Sequence, residues 1–268
     1  MVLDIFNRSL DIIKTKKLFL LDQDGTLYNG SALFPQTKDF LNYIKELGAR
    51  YIFITNNSSQ SVASYMQRMN AFGIKTSAND FFTSTEATII FLKKHYPKAK
   101  VFAVGTTSFL EALKKEGIQL VSSVEADCAL LAYDRELTYQ KLIDLCELLS
   151  TKDIPYLATN PDWVCPIDFG YIPDCGSFAF MIEKATGKKP YFIGKPQPDM
   201  IEIIANKYQI QKKDIVVIGD RLYTDIQSAI NAKVDSILVL SGEASLDDLK
   251  ESSSQPTWVV NSIGELIT

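Results

Sequence analysis

The chain has 268 residues, of which 46% are hydrophobic and 22% are charged, as in an ordinary soluble globular protein. This length is more than one small core needs and suits two domains. With 28 basic and 32 acidic residues, the net charge of -4 gives no electrostatic reason to expect a nucleic acid or an anionic membrane as partner. No apolar run approaches the length of a membrane span.

The N-terminal segment and the cysteines indicate the cellular compartment in which the protein is expected. Asp4, Arg8 and Asp11 interrupt the first apolar residues, which predicts a short amphipathic helix rather than a signal peptide. The cysteines form no C-x-x-C pair, which disfavours a zinc or dithiol site. Free thiols are typical of a reducing compartment, so we expect a cytoplasmic protein. The cysteines are Cys128, Cys146, Cys165 and Cys175.

Residues 18–28 read LFLLDQDGTLY, an apolar run that stops at Asp22 and passes Asp24 and Gly25. The uninterrupted run predicts a central parallel strand buried on both faces. Its acids then lie at the C-terminal end, the edge where open α/β sheets bind ligands. Two acids one residue apart can divide the work of nucleophile and proton donor. The alternative is a simple turn, which Asp and Gly also favour.

A second apolar run follows one helix later. Residues 37–47 predict a helix with its apolar side chains on one face. Residues 49–57, ARYIFITNN, predict a strand that ends at Thr55 and Asn56 and precedes a helix near Ser61. Hydroxyls and backbone N–H groups in this position can bind an anion, although Asn and Ser also cap helices.

The middle of the chain predicts a separate domain, because about a hundred residues of strand and helix can bury a core of their own. A long loop, NPDWVCPIDFGYIPDCGS at residues 160–177, closes this series. The predicted strands are 100–105, 126–132 and 155–159, and the predicted helices are 107–116 and 139–150. The last segment returns to strands with short loops, YFIG, IVVIG and ILVL, which is typical of a doubly wound parallel sheet.

Polar residues follow four predicted strands of the outer segments. Parallel strands of one sheet would bring these residues to a single edge. Several carboxylates near one point cannot all remain ionised without a cation, and oxygen ligands favour Mg2+. A metal, a lysine and anion-binding amides together predict a phosphate site. The residues are Asp22 and Asp24, Thr55 and Asn56, Lys195, and Asp220 and Asp225.

These motifs resemble the haloacid dehalogenase superfamily of phosphotransferases, in which DQDGT, TNN, GKP and GDRLYTD would be the four motifs in order. The segment between the second and third motifs, with ATNPD, CGS and IEKATGKKP, is similar to the C2-capped subclass IIA, which includes NagD-like and 4-nitrophenyl phosphatases. The resemblance implies an α/β fold, a doubly wound parallel sheet with an inserted α/β cap. Residues 1–80 and 185–268 would form the core, and residues 81–184 the cap.

The resemblance also implies the role of each motif residue. Asp22 would attack phosphorus and form an aspartyl phosphate, and Asp24 would act as general acid and then general base. Thr55 and the backbone N–H of Asn56 would bind the phosphoryl oxygens, and Lys195 would neutralise charge. Because halide leaves without a proton, an acid at position 24 favours phosphoester hydrolysis over dehalogenation.

The implied cofactor is Mg2+. It would be held by the Asp22 carboxylate, the Asp24 carbonyl and Asp220, with Asp225 reached through water. The expected substrates are small phosphomonoesters, sugar phosphates first and nucleoside monophosphates next. The alternatives are a non-catalytic phosphometabolite-binding or regulatory protein and a phosphotransferase on the same fold. C2-capped relatives also imply a homodimer through the cap.

The loop at residues 160–177 is where the cap of the resembled branch would meet the leaving group. Trp and Tyr there offer stacking or hydrogen bonds to a sugar or a base, but they also simply pack. A small packed thiol is the alternative for its cysteine. The candidates are Asp162, Trp163, Asp168, Tyr171, Asp174 and Cys175.

Overall fold

A computed structural model of the chain describes residues 2–167 and 169–267. The strands are β1 Leu18–Leu21, β2 Tyr28–Asn29, β3 Ala32–Leu33, β4 Arg50–Thr55, β5 Phe81–Thr83, β6 Lys100–Val104, β7 Gln119–Leu120, β8 Cys128–Leu131, β9 Tyr156–Ala158, β10 Val164–Ile167, β11 Gly170–Pro173, β12 Tyr191–Phe192, β13 Ile215–Gly219, β14 Asp235–Val239 and β15 Trp258–Val260. The helices are α1 Thr37–Glu46, α2 Val62–Ala71, α3 Ser84–His95, α4 Thr107–Lys115, α5 Tyr139–Thr151, α6 Cys175–Thr186, α7 Asp199–Tyr208, α8 Gln227–Ala232 and α9 Leu246–Glu251.

The chain divides into two compact units. The first comprises Met1–Thr55, Arg68–Phe82 and Lys195–Thr268, and the second comprises Asn56–Gln67 and Thr83–Gly194. The predicted domain boundaries, at 80/81 and 184/185, stay a prediction.

The first unit is built on a six-stranded sheet in the order β15-β14-β13-β1-β4-β5. Strand β1 pairs in parallel with both β13 and β4, and all four of its residues are buried. The uninterrupted apolar run therefore forms a central strand covered on both faces, as predicted. The predicted α/β class with parallel sheets is confirmed.

The second unit has its own five-stranded sheet in the order β12-β9-β8-β6-β7, with parallel pairing throughout. Helices α5 and α6 cover one face, where Tyr133, Leu145, Leu149, Phe178 and Ile182 form a buried cluster with strand residues. This unit therefore has the separate core that the sequence predicts.

Strand β12 belongs to this second sheet, because Tyr191 and Phe192 pair with Leu157 and Ala158 of β9. The prediction that Lys195 follows a strand of the same sheet as the acids was therefore wrong. The apolar YFIG pattern fits a parallel strand in either sheet, so the pattern alone does not identify its partner.

The segment predicted as a long loop contains an antiparallel hairpin, in which β10 pairs with β11. Each strand contains a proline, Pro166 and Pro173, which obscured the strand pattern because proline cannot donate to a sheet. The predicted loop also includes the first turn of α6.

The predicted N-terminal amphipathic helix was also wrong, since the described residues 2–17 form an antiparallel bridge between Leu3 and Ser9 and a 3₁₀ helix at Asp11–Thr15. The buried carboxylate of Asp4 accepts from the backbone N–H groups of Phe6, Arg8 and Val259 and thereby holds this segment in a non-helical conformation. Across residues 2–167 and 169–267, none of the helices has the length and apolar character to cross a membrane.

Candidate active site

The sheet of the first unit presents the predicted polar residues at one edge. The last residue of β1 pairs with Phe53 of β4 and with Ile218 of β13. Asp22 follows β1 directly, and Thr55 and Asp220 lie two residues beyond these partners. Because the three strands are parallel, these positions share the C-terminal edge of the sheet.

Lys195 lies between two of the acids. Its Nζ donates to Oδ1 of Asp22 at 2.6 Å and to Oδ1 of Asp225 at 2.6 Å. Burial by itself would lower the pKa of Lys195, but the two carboxylates outweigh burial and raise the pKa. The ammonium therefore stays charged next to the predicted nucleophile.

The turn after β1 brings the main chain against Asp220. Gly25 has a φ of 83°, and a Cβ at this residue would overlap the Asp220 carboxylate. Only glycine tolerates both the left-handed conformation and this close approach. The turn is closed by Gly25 N–H, which donates to the Tyr28 carbonyl at 2.8 Å.

A loop after β14 holds the same carboxylate from the other side. The N–H of Glu243 donates to Oδ2 of Asp220 at 2.7 Å, and a Cβ at Gly242 would overlap that oxygen. Arg221 Nε pairs with Oε2 of Glu243 at 2.8 Å. This loop was not among the predicted site residues. Its signal is the polar triplet SGE directly after the apolar strand ILVL.

Asp24 faces an arginine that was also not predicted. Its Oδ1 lies 3.8 Å from Nη1 of Arg68 on α2, and that nitrogen donates to the Tyr28 hydroxyl at 3.4 Å. Burial raises the pKa of Asp24, while the positive charges of Arg68 and Arg221 oppose the rise. A raised pKa favours an acid that holds a proton for donation.

The other three carboxylates have raised pKa values, chiefly because of burial. Burial raises the pKa of Asp225 to about 6, although Lys195 lowers it. Burial and then the neighbouring Asp22 and Asp225 carboxylates raise the pKa of Asp220 well above its usual range. Burial also raises the pKa of Asp22 against the opposing effect of Lys195. Ionising all three acids would therefore place more negative charge here than Lys195 balances, and a bound cation would offset that charge.

The geometry fits a divalent cation. Asp22, Asp220 and Asp225 each offer an oxygen within 4.8 Å of the other two. Oδ1 of Asp220 is buried and has no hydrogen-bond partner among the described residues. Leaving such an oxygen without a partner is costly, and Mg2+ prefers oxygen ligands of this kind. These residues therefore fit a magnesium ion.

The predicted phosphate-binding residues divide between the two units. Thr55, at the end of β4, belongs to the first unit and is buried. Asn56, the next residue, belongs to the second unit, where its Nδ2 donates to Oδ2 of Asp162 at 2.7 Å. Its carbonyl accepts from Ser84 Oγ at 2.6 Å. Asn56 is therefore fixed by a side-chain and a main-chain hydrogen bond.

The candidate residues in the segment at 160–177 differ in solvent exposure. Three of them, Asp162, Asp174 and Cys175, are buried, whereas Trp163 and Tyr171 are 52% and 61% exposed. Burial raises the pKa of the Cys175 thiol to about 12, which makes it unreactive. The buried acids are engaged inside the unit, and the two aromatic residues stay accessible. Asp168 lies outside the described residues.

Comparison with known proteins tests the family resemblance that the motifs indicate. Residues 19–119 match the family model described as haloacid dehalogenase-like hydrolase, and residues 192–266 match one described as HAD-hydrolase-like. The chain is 30% identical over 246 residues to an acid sugar phosphatase of Staphylococcus haemolyticus, covering 92% of this chain and 93% of that protein. It is 29% identical to the 5'-nucleotidase YutF of Bacillus subtilis, covering 95% of this chain and 99% of that protein.

A solved structure shows the same fold over almost the whole chain. The 4-nitrophenylphosphatase of Thermotoga maritima superimposes with a TM-score of 0.90 at 35% identity, covering 96% of this chain and 98% of that chain. The resemblance drawn from the four motifs is thereby confirmed. The chain belongs to the haloacid dehalogenase-like hydrolases, in the phosphatase branch that contains NagD and 4-nitrophenyl phosphatases.

Proposed function

We propose that this phosphatase is a Mg2+-dependent phosphomonoesterase that hydrolyses small phosphorylated metabolites through an aspartyl phosphate. The observation that carries the proposal is the contact of the charged Lys195 with Asp22, beside the buried Asp220 oxygen that has no partner among the described residues. A lysine and a cation-binding acid next to one carboxylate are the groups that phosphoryl transfer requires.

In the first step, an Asp22 carboxylate oxygen forms a bond to phosphorus while the bond from phosphorus to the leaving oxygen breaks. Asp24 gives its proton to that leaving oxygen, so that an alcohol departs rather than an alkoxide. Lys195 offsets negative charge on the nucleophile and on the phosphoryl oxygens. The Thr55 hydroxyl and the backbone N–H of Asn56 would donate to the same oxygens.

In the second step, water attacks the phosphorus of the aspartyl phosphate and transfers a proton to Asp24. The bond between Asp22 and phosphorus breaks, which restores the carboxylate and releases inorganic phosphate. Asp22, the Asp24 carbonyl and Asp220 would hold Mg2+, which supplies charge neutralisation when bound. Both Asp225 oxygens accept from protein groups, Lys195 Nζ and Arg221 N–H, which supports a contact with the ion through water.

The relatives support the proposed substrate range. An acid sugar phosphatase favours sugar phosphates, and a 5'-nucleotidase makes nucleoside monophosphates the second candidate class. The accessible Trp163 and Tyr171 can contact either a sugar or a base. A panel of phosphorylated metabolites, assayed for phosphate release with MgCl2, will rank the two classes.

The decisive test is Asp22→Asn with 4-nitrophenyl phosphate as substrate. We expect turnover to be lost while the circular dichroism spectrum is unchanged, because the amide is a poor nucleophile of the same shape. The control is Asp247→Asn, which removes an exposed acid of the same unit and should retain activity. Full activity of Asp22→Asn would refute the nucleophile assignment.

Two further measurements address the alternatives. A purified wild-type chain that binds phosphate esters without releasing phosphate would be a binding protein. Transfer of the phosphoryl group to an added alcohol in preference to water would identify a phosphotransferase. The cytoplasmic location and the homodimer through the cap stay predictions, and light scattering will test the homodimer.

A further inference from the structure

A buried carboxylate of the second unit receives two amide donors. Asn56 Nδ2 donates to Oδ2 of Asp162 at 2.7 Å, and Asn160 Nδ2 donates to the same oxygen at 2.8 Å. The three residues are at most 6% exposed. The convergence of two N–H groups on one oxygen requires a side chain that accepts at that point, which a carboxylate does.

This pair of hydrogen bonds is anchored to a helix. Asn160 Nδ2 also donates to Oδ1 of Asp174 at 2.9 Å, and that oxygen accepts the N–H of Cys175 at the first turn of α6. The side-chain oxygen Oδ1 of Asn160 accepts from Thr159 Oγ1 at 2.7 Å. Both ends of the Asn160 side-chain amide are thus engaged, so the orientation of this amide is fixed. Asn160 holds Asp162, and Asp162 in turn holds the Asn56 side chain.

Asn56 is held at a second point by Ser84, whose Oγ donates to its carbonyl oxygen at 2.6 Å. Ser84 is the first residue of α3 and is fully buried. A residue whose side chain and carbonyl are both held has little freedom left in its main chain. The two hydrogen bonds therefore restrict the orientation of the Asn56 peptide N–H.

We infer that Asp162 is a positioning residue for phosphate binding, which acts by holding Asn56 so that its peptide N–H is preset for a phosphoryl oxygen. This inference rests on the proposed function, in which that N–H is a phosphate donor. Asp162 itself is buried and contacts amides, so it acts through Asn56 rather than on the substrate. Its role differs from the leaving-group contact that the sequence predicts for this residue.

The test compares Asp162→Ala with Asp162→Asn in the full-length chain with MgCl2. The readouts are kcat/KM for 4-nitrophenyl phosphate and the inhibition constant of inorganic phosphate. We expect Asp162→Ala to weaken phosphate inhibition and lower kcat/KM by about 10- to 100-fold, the scale on which misplaced groups act. Asp162→Asn should recover most of this loss, because its amide oxygen can accept both donors.

The matched control is Asp134→Ala. Asp134 is another buried carboxylate of the second unit, but its oxygens accept from Lys141 Nζ at 2.7 Å and from the N–H of Glu136 at 2.8 Å rather than from amide side chains. Asp134→Ala should lower the unfolding temperature, as Asp162→Ala does, but should leave the inhibition constant of inorganic phosphate unchanged. An equal change of that constant in both variants would mean a structural role only and would overturn the inference.

A double-mutant cycle tests the route of action. In an Asn56→Ala background, Asp162→Ala should cause little further loss, because the Asn56 side chain through which Asp162 holds the peptide is already absent. Additive losses would overturn the inference. If Asp162→Ala does not fold, Ser84→Ala replaces it and should weaken phosphate inhibition in the same direction, and an unchanged inhibition constant in a folded Ser84→Ala protein would be the contrary result.

The proposed function and the role of Asp162 can be refuted independently of each other. If the wild type is active and Asp22→Asn is not, the proposed function stands, and normal kinetics of a folded Asp162→Ala protein would overturn only the inference. A wild type that neither hydrolyses phosphoesters nor binds phosphate would overturn both.

Discussion

The Nζ of Lys195 lies 2.6 Å from Oδ1 of Asp22, and the side chains are only 3% and 14% exposed. The same ammonium lies 2.6 Å from Asp225. A buried charge contact of this kind costs desolvation and contributes little net stability, so its presence favours a chemical role. In the proposed mechanism, that role is to balance the charge of the carboxylate that attacks the phosphate.

Lys195→Met should lower kcat/KM for 4-nitrophenyl phosphate by about 100-fold or more, the scale found when one preorganised electrostatic group is removed. It should also lower the free energy of unfolding, because Asp22 and Asp225 lose their common partner. The loss should be larger at pH 8 than at pH 5, since the acids can take up protons at the lower pH. Steady-state kinetics and urea unfolding at the two pH values will measure both effects.

The control for this variant is Lys17→Met. Lys17 belongs to the same unit and pairs with Asp214 at 3.3 Å, but its side chain is 69% exposed. Exposed ion pairs of this kind contribute little, so its stability and kinetics should match the wild type. Equal behaviour of the two lysine variants would contradict the assigned role of Lys195.

Asp24→Asn should affect substrates according to their leaving group. An alkyl phosphate such as glycerol phosphate requires protonation of its leaving oxygen, whereas 4-nitrophenolate leaves readily without a proton. Rapid mixing with 4-nitrophenyl phosphate should therefore give a burst of nitrophenol followed by slow turnover, because the aspartyl phosphate still forms but its hydrolysis lacks a base. Uniform loss across both substrates without a burst would contradict the acid and base assignment.

Gly242→Ala should weaken Mg2+ binding. Gly242 is outside the left-handed region, so the substitution tests only the overlap of its Cβ with Oδ2 of Asp220. Displacing a ligand carboxylate from its supporting contacts typically costs about 10- to 100-fold in metal affinity. Titration calorimetry with MgCl2 in the absence of substrate will measure this directly.

The matched substitution is Gly264→Ala. Gly264 is in the same unit and also outside the left-handed region, but its Cβ would meet the side chain of Gln36, whose Oε1 lies at 2.9 Å and which can move. This variant should bind Mg2+ as the wild type does. Unchanged affinity in Gly242→Ala as well would show that the loop does not support Asp220.

The sequence predicts β1 and its acids because the physical signal is local. An uninterrupted apolar run must be covered on both faces, and Asp22 and Asp24 end it where a parallel sheet binds ligands. The same reasoning applies to β4 and Thr55. In these places a few adjacent residues suffice to predict the buried strand and the polar residues that end it.

The parts that the sequence did not predict depend on contacts distant along the chain. Strand β12 carries the same apolar pattern as the core strands but pairs with β9 of the other sheet. Arg68 lies within α2 with no pattern that distinguishes it from a solvent-exposed arginine, although it faces Asp24. Only the folded positions of the partners show these relationships.

Removal of metal should make stability depend on pH with an unusual sign. Burial raises the pKa of Asp225 from its ordinary 3.8 to about 6, so the folded chain keeps this proton at pH values where the unfolded chain has lost it. The free energy of unfolding should therefore fall as pH rises from about 4 to 6, by on the order of 3 kcal/mol for this group. The pKa values of Asp22 and Asp220 are raised in the same direction.

Urea unfolding in EDTA across this range, with the wild type and Asp225→Asn compared at each pH, will isolate the contribution of Asp225. The variant cannot ionise at this position, so its stability relative to the wild type should increase with pH until about pH 6 and then level off. With MgCl2 the difference should shrink, because a bound cation stabilises the ionised acids. A stability difference that is constant from pH 4 to pH 7, with or without Mg2+, would show that the cluster does not carry the uncompensated charge on which the metal assignment depends.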